Sequence, residues 1–181
     1  ITDSLYHRVI KSGYFDDYPL IMPLRDTYGK PIALVGRTII DEDLRKDRKM
    51  SKYKYTMDFT KTNHVFGLFE NKKNIISNDC VYIVEGQIDV IKAMERKFNN
   101  IVAIGGSSMS SYQFSVINRY TNNIFLLLDN DEAGEKGRKS IIDRFGNYAN
   151  IHNFYLPEGY KDIDQYFREN LTDEIDLVDK R

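Results

Sequence analysis

Residues 124–140 read IFLLLDNDEAGEKGRKS: five apolar residues, then Asp129, Asn130, Asp131 and Glu132, then a stretch with helical character. A buried strand that ends on two carboxylates two positions apart loses hydration and gains repulsion. Either the charges face water or something positive sits there. The rest of the chain repeats the pattern. VYIV (81–84) is followed by Glu85 and Gly86, then by QIDVIKAMERKF, where Ile88, Ile91, Ala93, Met94 and Phe98 fall near helical spacing. IVAI (101–104) runs into Gly105, Gly106, Ser107 and Ser108 and a helix-like SSYQFSVINRY. IHNFYL (151–156) leads through Pro157, Glu158 and Gly159 to KDIDQYF. Runs this apolar suit parallel strands covered on both faces, so the spacing predicts βαβ units and an α/β fold.

The first 80 residues differ. PLIMPLRDTYGKPIALVGRTII (19–40) offers two extended runs around Thr27, Tyr28, Gly29 and Lys30, a hairpin signal. Residues 41–64 are polar and read as irregular, and VFGLFE (65–70) reads as the start of a short helix. The expected organisation is a smaller mixed α+β basic lobe over 1–78 and a parallel-sheet domain over 79–181. Net charge is only −1 in 181 residues, but residues 1–80 carry +3 and residues 81–181 carry −4. RKDRKMSKYKYTMDFTK (45–61) holds seven Lys or Arg against two Asp, with Tyr53, Tyr55 and Phe59 interleaved. Such a segment can follow a phosphate backbone and stack on bases, although on its own it reads first as a solvated loop. No apolar run reaches the roughly 18 residues that cross a bilayer, which predicts no membrane partner. The single Cys80 excludes an internal disulfide and fits a reducing cytoplasm. His7, His64, His152 and Cys80 are too scattered to suggest zinc.

Ligands of an open parallel sheet bind outside the carboxyl ends of its strands. Glu85 follows one strand and Asp129 another; Asp131 shares the second turn, Asp89 lies one helical turn beyond Glu85, and Asp162 and Asp164 follow the fourth run. Each acid taken singly has a plain reading as a helix cap or dipole partner. Six acids on one sheet edge point instead to a hard cation, Mg²⁺ or Mn²⁺, ligated by oxygen alone.

Val84-Glu85-Gly86-Gln87-Ile88-Asp89-Val90 resembles the VEGxxDV element of the topoisomerase–primase (TOPRIM) fold, and Asp129 to Gly134 its DxDxAG element. Gly105 to Ser108 takes the place of the small-residue loop between them. PLRDTYGKPIALVGR (23–37) is similar to the FPIxDxxGxxxGFGGR segment of bacterial DnaG-type primases, Tyr53 to Leu68 to their KYxNS…LYGL stretch, and Tyr155 to Asp164 to their LPxGxDPD. The resemblance implies a Rossmann-like TOPRIM domain behind a basic lobe, together a DNA primase core. Such a core would make short RNA primers on single-stranded DNA from ribonucleoside triphosphates, in the bacterial cytoplasm. It implies two Mg²⁺ or Mn²⁺ ions, with Glu85, Asp129 and Asp131 as catalytic ligands and Asp89, Asp162 and Asp164 completing the metal or triphosphate site. Arg37, Lys52, Lys54, Lys61, Gly105 and Ser107 would contact nucleotide or DNA. A replicative helicase would be met through regions outside this sequence. Departures are visible: one glycine of GGR is Val35, the second lysine after Lys54 has no clear counterpart and Lys61 is a candidate for it, and Ile163 replaces the proline of DPD. They suggest a phage or mobile-element version. A TOPRIM nuclease or topoisomerase fragment, and a catalytically silent TOPRIM module that binds DNA, remain as alternatives.

Overall fold

The computed structural model describes residues 9–170, 172 and 174–179; His7 lies outside them. The chain forms two compact units that divide between Phe59 and Thr60.

In the first unit β1 (Leu20–Arg25), β2 (Pro31–Arg37) and β3 (Tyr53–Tyr55) form an antiparallel sheet in that order. The expected hairpin joins β1 to β2. One carboxylate oxygen of Asp26 accepts the N–H groups of Tyr28 and Lys30, both at 2.9 Å, and Gly29 takes the φ of +91° that the turn requires. Phe15 and Tyr18 pack with Leu34 on one face. They come so close at Gly36 that a Cβ there would sit 2.5 Å from the Phe15 ring. Residues 41–64 are more regular than their polarity predicts. They hold α1 (Glu42–Asp47), capped by Asp41 through the Asp43 N–H at 2.9 Å, then β3, then a 3₁₀ turn at Lys61–Asn63. β3 escapes a hydropathy reading because Tyr-Lys-Tyr is half-buried throughout and draws its order from the ladder with Val35–Arg37.

The second unit is a five-stranded sheet in the order β5-β4-β6-β7-β8, comprising β4 (Val81–Val84), β5 (Ile101–Ala103), β6 (Asn123–Leu126), β7 (Asn150–Tyr155) and β8 (Val178–Asp179). The first four strands are parallel, and β8 adds a short antiparallel edge. The helices are α2 (Leu68–Asn78), α3 (Gln87–Glu95), α4 (Ser111–Ile117), α5 (Glu132–Phe145) and α6 (Ile163–Glu169). Leu68 and Ile75 of α2, Val116 and Ile117 of α4 and Ile141 and Phe145 of α5 share one core with Ile83, Ile124 and Leu126. Val90 and Ala93 of α3 pack with Tyr166 and Phe167 of α6 against Val84, Ile101 and Leu127 in a second core. Both faces are therefore covered, which is why the strands read as unbroken apolar runs. The α2 packing also explains the division between the units. Residues 60–78 pack with the second unit because Leu68 and Ile75 are buried in its core and Phe66 exchanges main-chain hydrogen bonds with Ala103.

Candidate active site

β4 and β6 are adjacent and parallel, so the residues that leave their carboxyl ends are neighbours. These are Glu85 and Asp129. The Asp129 N–H donates to the Glu85 carboxylate. The other side of Glu85 is bare: its Oε1 is buried with no hydrogen-bond partner among the described residues. Burial, and then the charge of Asp129, raise the Glu85 pKa to about 7. A bound cation would relieve that penalty on the ionised form.

Asp131 starts α5. Its Oδ1 accepts the N–H groups of Ala133 and Gly134, both at 3.0 Å, and its Oδ2 lies 2.9 Å from Lys161 Nζ. The Gly134 N–H and the Lys161 ammonium hold its pKa below the usual carboxylate range. Lys161 also stands 3.8 Å from Asp129. Gly134 is required here, because a Cβ would lie 2.0 Å from the Asp129 carbonyl oxygen. Asn130 ties the acidic turn to the loop after β7, donating from its side chain to Tyr160 O (2.8 Å) and from its main chain to Lys161 O (2.9 Å).

The remaining acids form a second group where α3 meets α6. Asp89 is 8% exposed, and its Oδ1 accepts the Asp164 N–H at 3.1 Å. Burial, and then Asp162, raise its pKa to about 7. Asp162 caps α6 through the Gln165 N–H at 2.8 Å, and Asp164 stands 3.9 Å from Arg168. The plain capping reading therefore holds for Asp131 and Asp162, but it leaves Glu85 half-buried and Asp89 buried, each beside other carboxylates.

The all-oxygen donor set and the orphaned Glu85 oxygen fit a hard divalent ion. Among the described residues, however, no three His, Cys, Asp or Glu side chains are gathered into a ready-made cage. Asp131 is turned toward Lys161 and its own helix, and Asp89 toward α6.

The predicted nucleotide and DNA contacts fall into two sets. Lys61 lies beside the loop after β5, its Nζ 3.3 Å from Gly105 O; Gly105 and Gly106 both have positive φ, and the Ser107 carbonyl abuts α5 at Gly137. Arg37, Lys52 and Lys54 belong to the first unit. Directly opposed residues of an antiparallel pair share a face, and the register pairs Arg37 with Tyr53 but Gly36 with Lys54. Arg37 and Lys54 thus point to opposite faces of the sheet. Arg37 lies over the Tyr53 ring at 5.8 Å. Lys54 lies over Tyr14 at 4.1 Å and donates to the Tyr14 carbonyl at 2.6 Å. Lys52 is exposed.

Sequence reasoning missed Lys161, Asn130 and Arg138. Arg138 had a signal, because it falls on the same helical stripe as Gly134, Gly137, Ile141 and Phe145, where a charge is out of place. Lys161 had none, since only folding brings it to the acidic turn.

Residues 82–167 match the Toprim-like family model. A DNA primase of Aquifex aeolicus is 30% identical over 160 residues, 86% of this chain and 31% of that protein. The crystal structure of the zinc-binding and RNA polymerase domains of Aquifex aeolicus primase superposes with a TM-score of 0.72 at 26% identity, covering 93% of this chain and 46% of that one. The chain belongs to the family of DnaG-type primase cores. A DnaG primase catalytic domain solved bound to single-stranded DNA is similar too, with a TM-score of 0.65, 25% identity and coverage of 83% of this chain and 48% of that one. This primase-family chain spans less than a third of the length of the curated relatives it matches. The mixed α/β fold and parallel-rich sheet agree with that membership.

Proposed function

We propose that this chain synthesises short RNA primers from ribonucleoside triphosphates on a single-stranded DNA template, in the bacterial cytoplasm and beside a replicative helicase. One observation carries the reading. In a chain of this family, Glu85 and Asp129 leave adjacent parallel strands side by side, with a buried Glu85 oxygen that has no partner. Glu85, Asp129 and Asp131 would hold Mg²⁺ or Mn²⁺, and Asp89, Asp162 and Asp164 a second ion or the triphosphate. Bound divalent ions would lower the cost of negative charge on the attacking and leaving oxygens.

The chain's own residues fix and orient. In primer growth a 3′-oxygen bonds to the α-phosphorus of the incoming nucleotide, and the bond to pyrophosphate breaks. That needs positioning and positive charge rather than a side-chain nucleophile. Lys61 and the Gly105–Ser107 loop would meet phosphates, and Arg37 and Lys52 the template, while Lys54, on the opposite face of the sheet from Arg37 and bonded to the Tyr14 carbonyl, would hold the first unit together. The functional lobes would divide near residue 78.

Extension of an RNA primer annealed to single-stranded DNA tests the chemistry without requiring initiation by this chain. Ribonucleotides should be added with Mg²⁺ or Mn²⁺, not with chelator, and not by a folded Asp129→Asn protein. A folded wild-type chain that adds none would overturn the reading; cleavage of the DNA in the same tubes would favour a TOPRIM nuclease.

A further inference from the structure

Arg138 is 2% exposed, on the face of α5 that packs against the sheet. A buried guanidinium is costly unless its donors are met. Here the main chain accepts three hydrogen bonds from the fork. Nη1 donates to Leu126 O at 2.8 Å and to Phe154 O at 3.0 Å, and Nη2 donates to Leu128 O. Nε lies 3.4 Å from Glu135 Oε1, an ion-pair distance without hydrogen-bond alignment. The Tyr155 ring lies 4.1 Å away, and its hydroxyl donates to Glu135 at 3.3 Å.

The location gives these contacts a consequence. The ladder between β6 and β7 stops at Leu126 and Asn153, and the arginine fork takes over where it stops. The Leu128 carbonyl belongs to the peptide unit that leads directly into Asp129. We propose that Arg138 is a positioning residue for Asp129: its fork locks the main chain from Leu126 to Leu128 and so sets where the Asp129 carboxylate stands relative to Glu85. This rests on Asp129 being a metal ligand. Burial lowers the Arg138 pKa, and the charges of Glu135, Glu85 and Asp129 are among those that oppose it. A plain structural role would lower stability when lost and leave the folded site unchanged. A positioning role would weaken metal binding in protein that is still folded.

Arg138→Lys separates the two, because it keeps the charge and loses the planar fork. Mn²⁺ affinity is read by electron paramagnetic resonance, alongside the thermal midpoint, for wild type, Asp129→Asn, Arg138→Lys and Tyr155→Leu. Partners that orient metal ligands typically change affinity ~10-fold or more, and Arg138→Lys should weaken Mn²⁺ binding by about that factor while folded. It should also raise the Mg²⁺ concentration needed for half-maximal primer extension. Folded Arg138→Lys with wild-type Mn²⁺ affinity overturns the proposal. If Arg138→Lys does not fold, Tyr155→Leu decides, since it removes the ring that the guanidinium lies against. Weaker binding by the folded variant supports positioning, and unchanged binding refutes it. Wild type that binds no more Mn²⁺ than Asp129→Asn would instead sink the metal reading itself.

Discussion

Glu85→Gln should make the metal-free protein more stable, and by an amount that depends on pH. The folded protein raises the Glu85 pKa from 4.5 to about 7, chiefly by burial. The unfolded chain ionises near 4.5, so between these values the folded state binds more protons. Its stability is therefore full below 4.5 and falls as pH rises through 7. At ~1.4 kcal/mol per pKa unit the penalty at pH 8 approaches ~3 kcal/mol, and water reaching this half-buried group trims it to about 2. Gln keeps the acceptor for the Asp129 N–H and sheds the charge. In chelator at pH 8 the variant should melt ~4–8 °C above wild type, at 2–4 °C per kcal/mol for a chain of this size. By pH 5 less than about a third of that advantage should remain. Asp131, whose pKa is lowered, titrates below this window. Saturating Mn²⁺ at pH 8 should reverse the order by stabilising wild type more. Differential scanning calorimetry at pH 5 and 8, with and without metal, measures all four quantities. A variant no more stable than wild type at pH 8 in chelator, or an advantage that does not shrink toward pH 5, would refute the reasoning.

Lys161→Met should tighten Mn²⁺ binding by ~2–5-fold, because the ammonium 2.9 Å from Asp131 competes for it and half-exposed pairs are worth up to ~1 kcal/mol; calorimetric titration showing weaker binding would make Lys161 a support instead. Lys52→Ala and Lys54→Ala should separate. Lys52→Ala should reduce the slope of log affinity against log salt for single-stranded DNA by ~0.7 and leave the thermal midpoint alone. Lys54→Ala should cost ~1–2 kcal/mol of stability, since its ammonium is bonded to the Tyr14 carbonyl. Equal midpoints for the two variants would contradict the placement of Lys54.

Much of the second unit was legible because its signals are local. A run such as IFLLL is buried on both faces and says so in composition alone, and Asp129 announces the end of the strand because a charge cannot continue it. Glu85 and Asp89, four residues apart, could be placed at one end of a helix by counting. β3 and residues 60–78 were not legible in this way. Three half-buried residues become a strand only beside β2, and α2 belongs with the second unit only because Leu68 and Ile75 find its core. The same holds for the cations. That Arg37 and Lys54 point to opposite faces follows from the pairing of Gly36 with Lys54, and register is a property of two strands rather than of one segment. Lys161 reaches Asp131 only once the loop after β7 folds over the acidic turn. Periodicity along the chain thus determined which residues are buried and where the acids leave their strands. The counter-charges those acids meet come from distant segments, and only the tertiary structure could assign them.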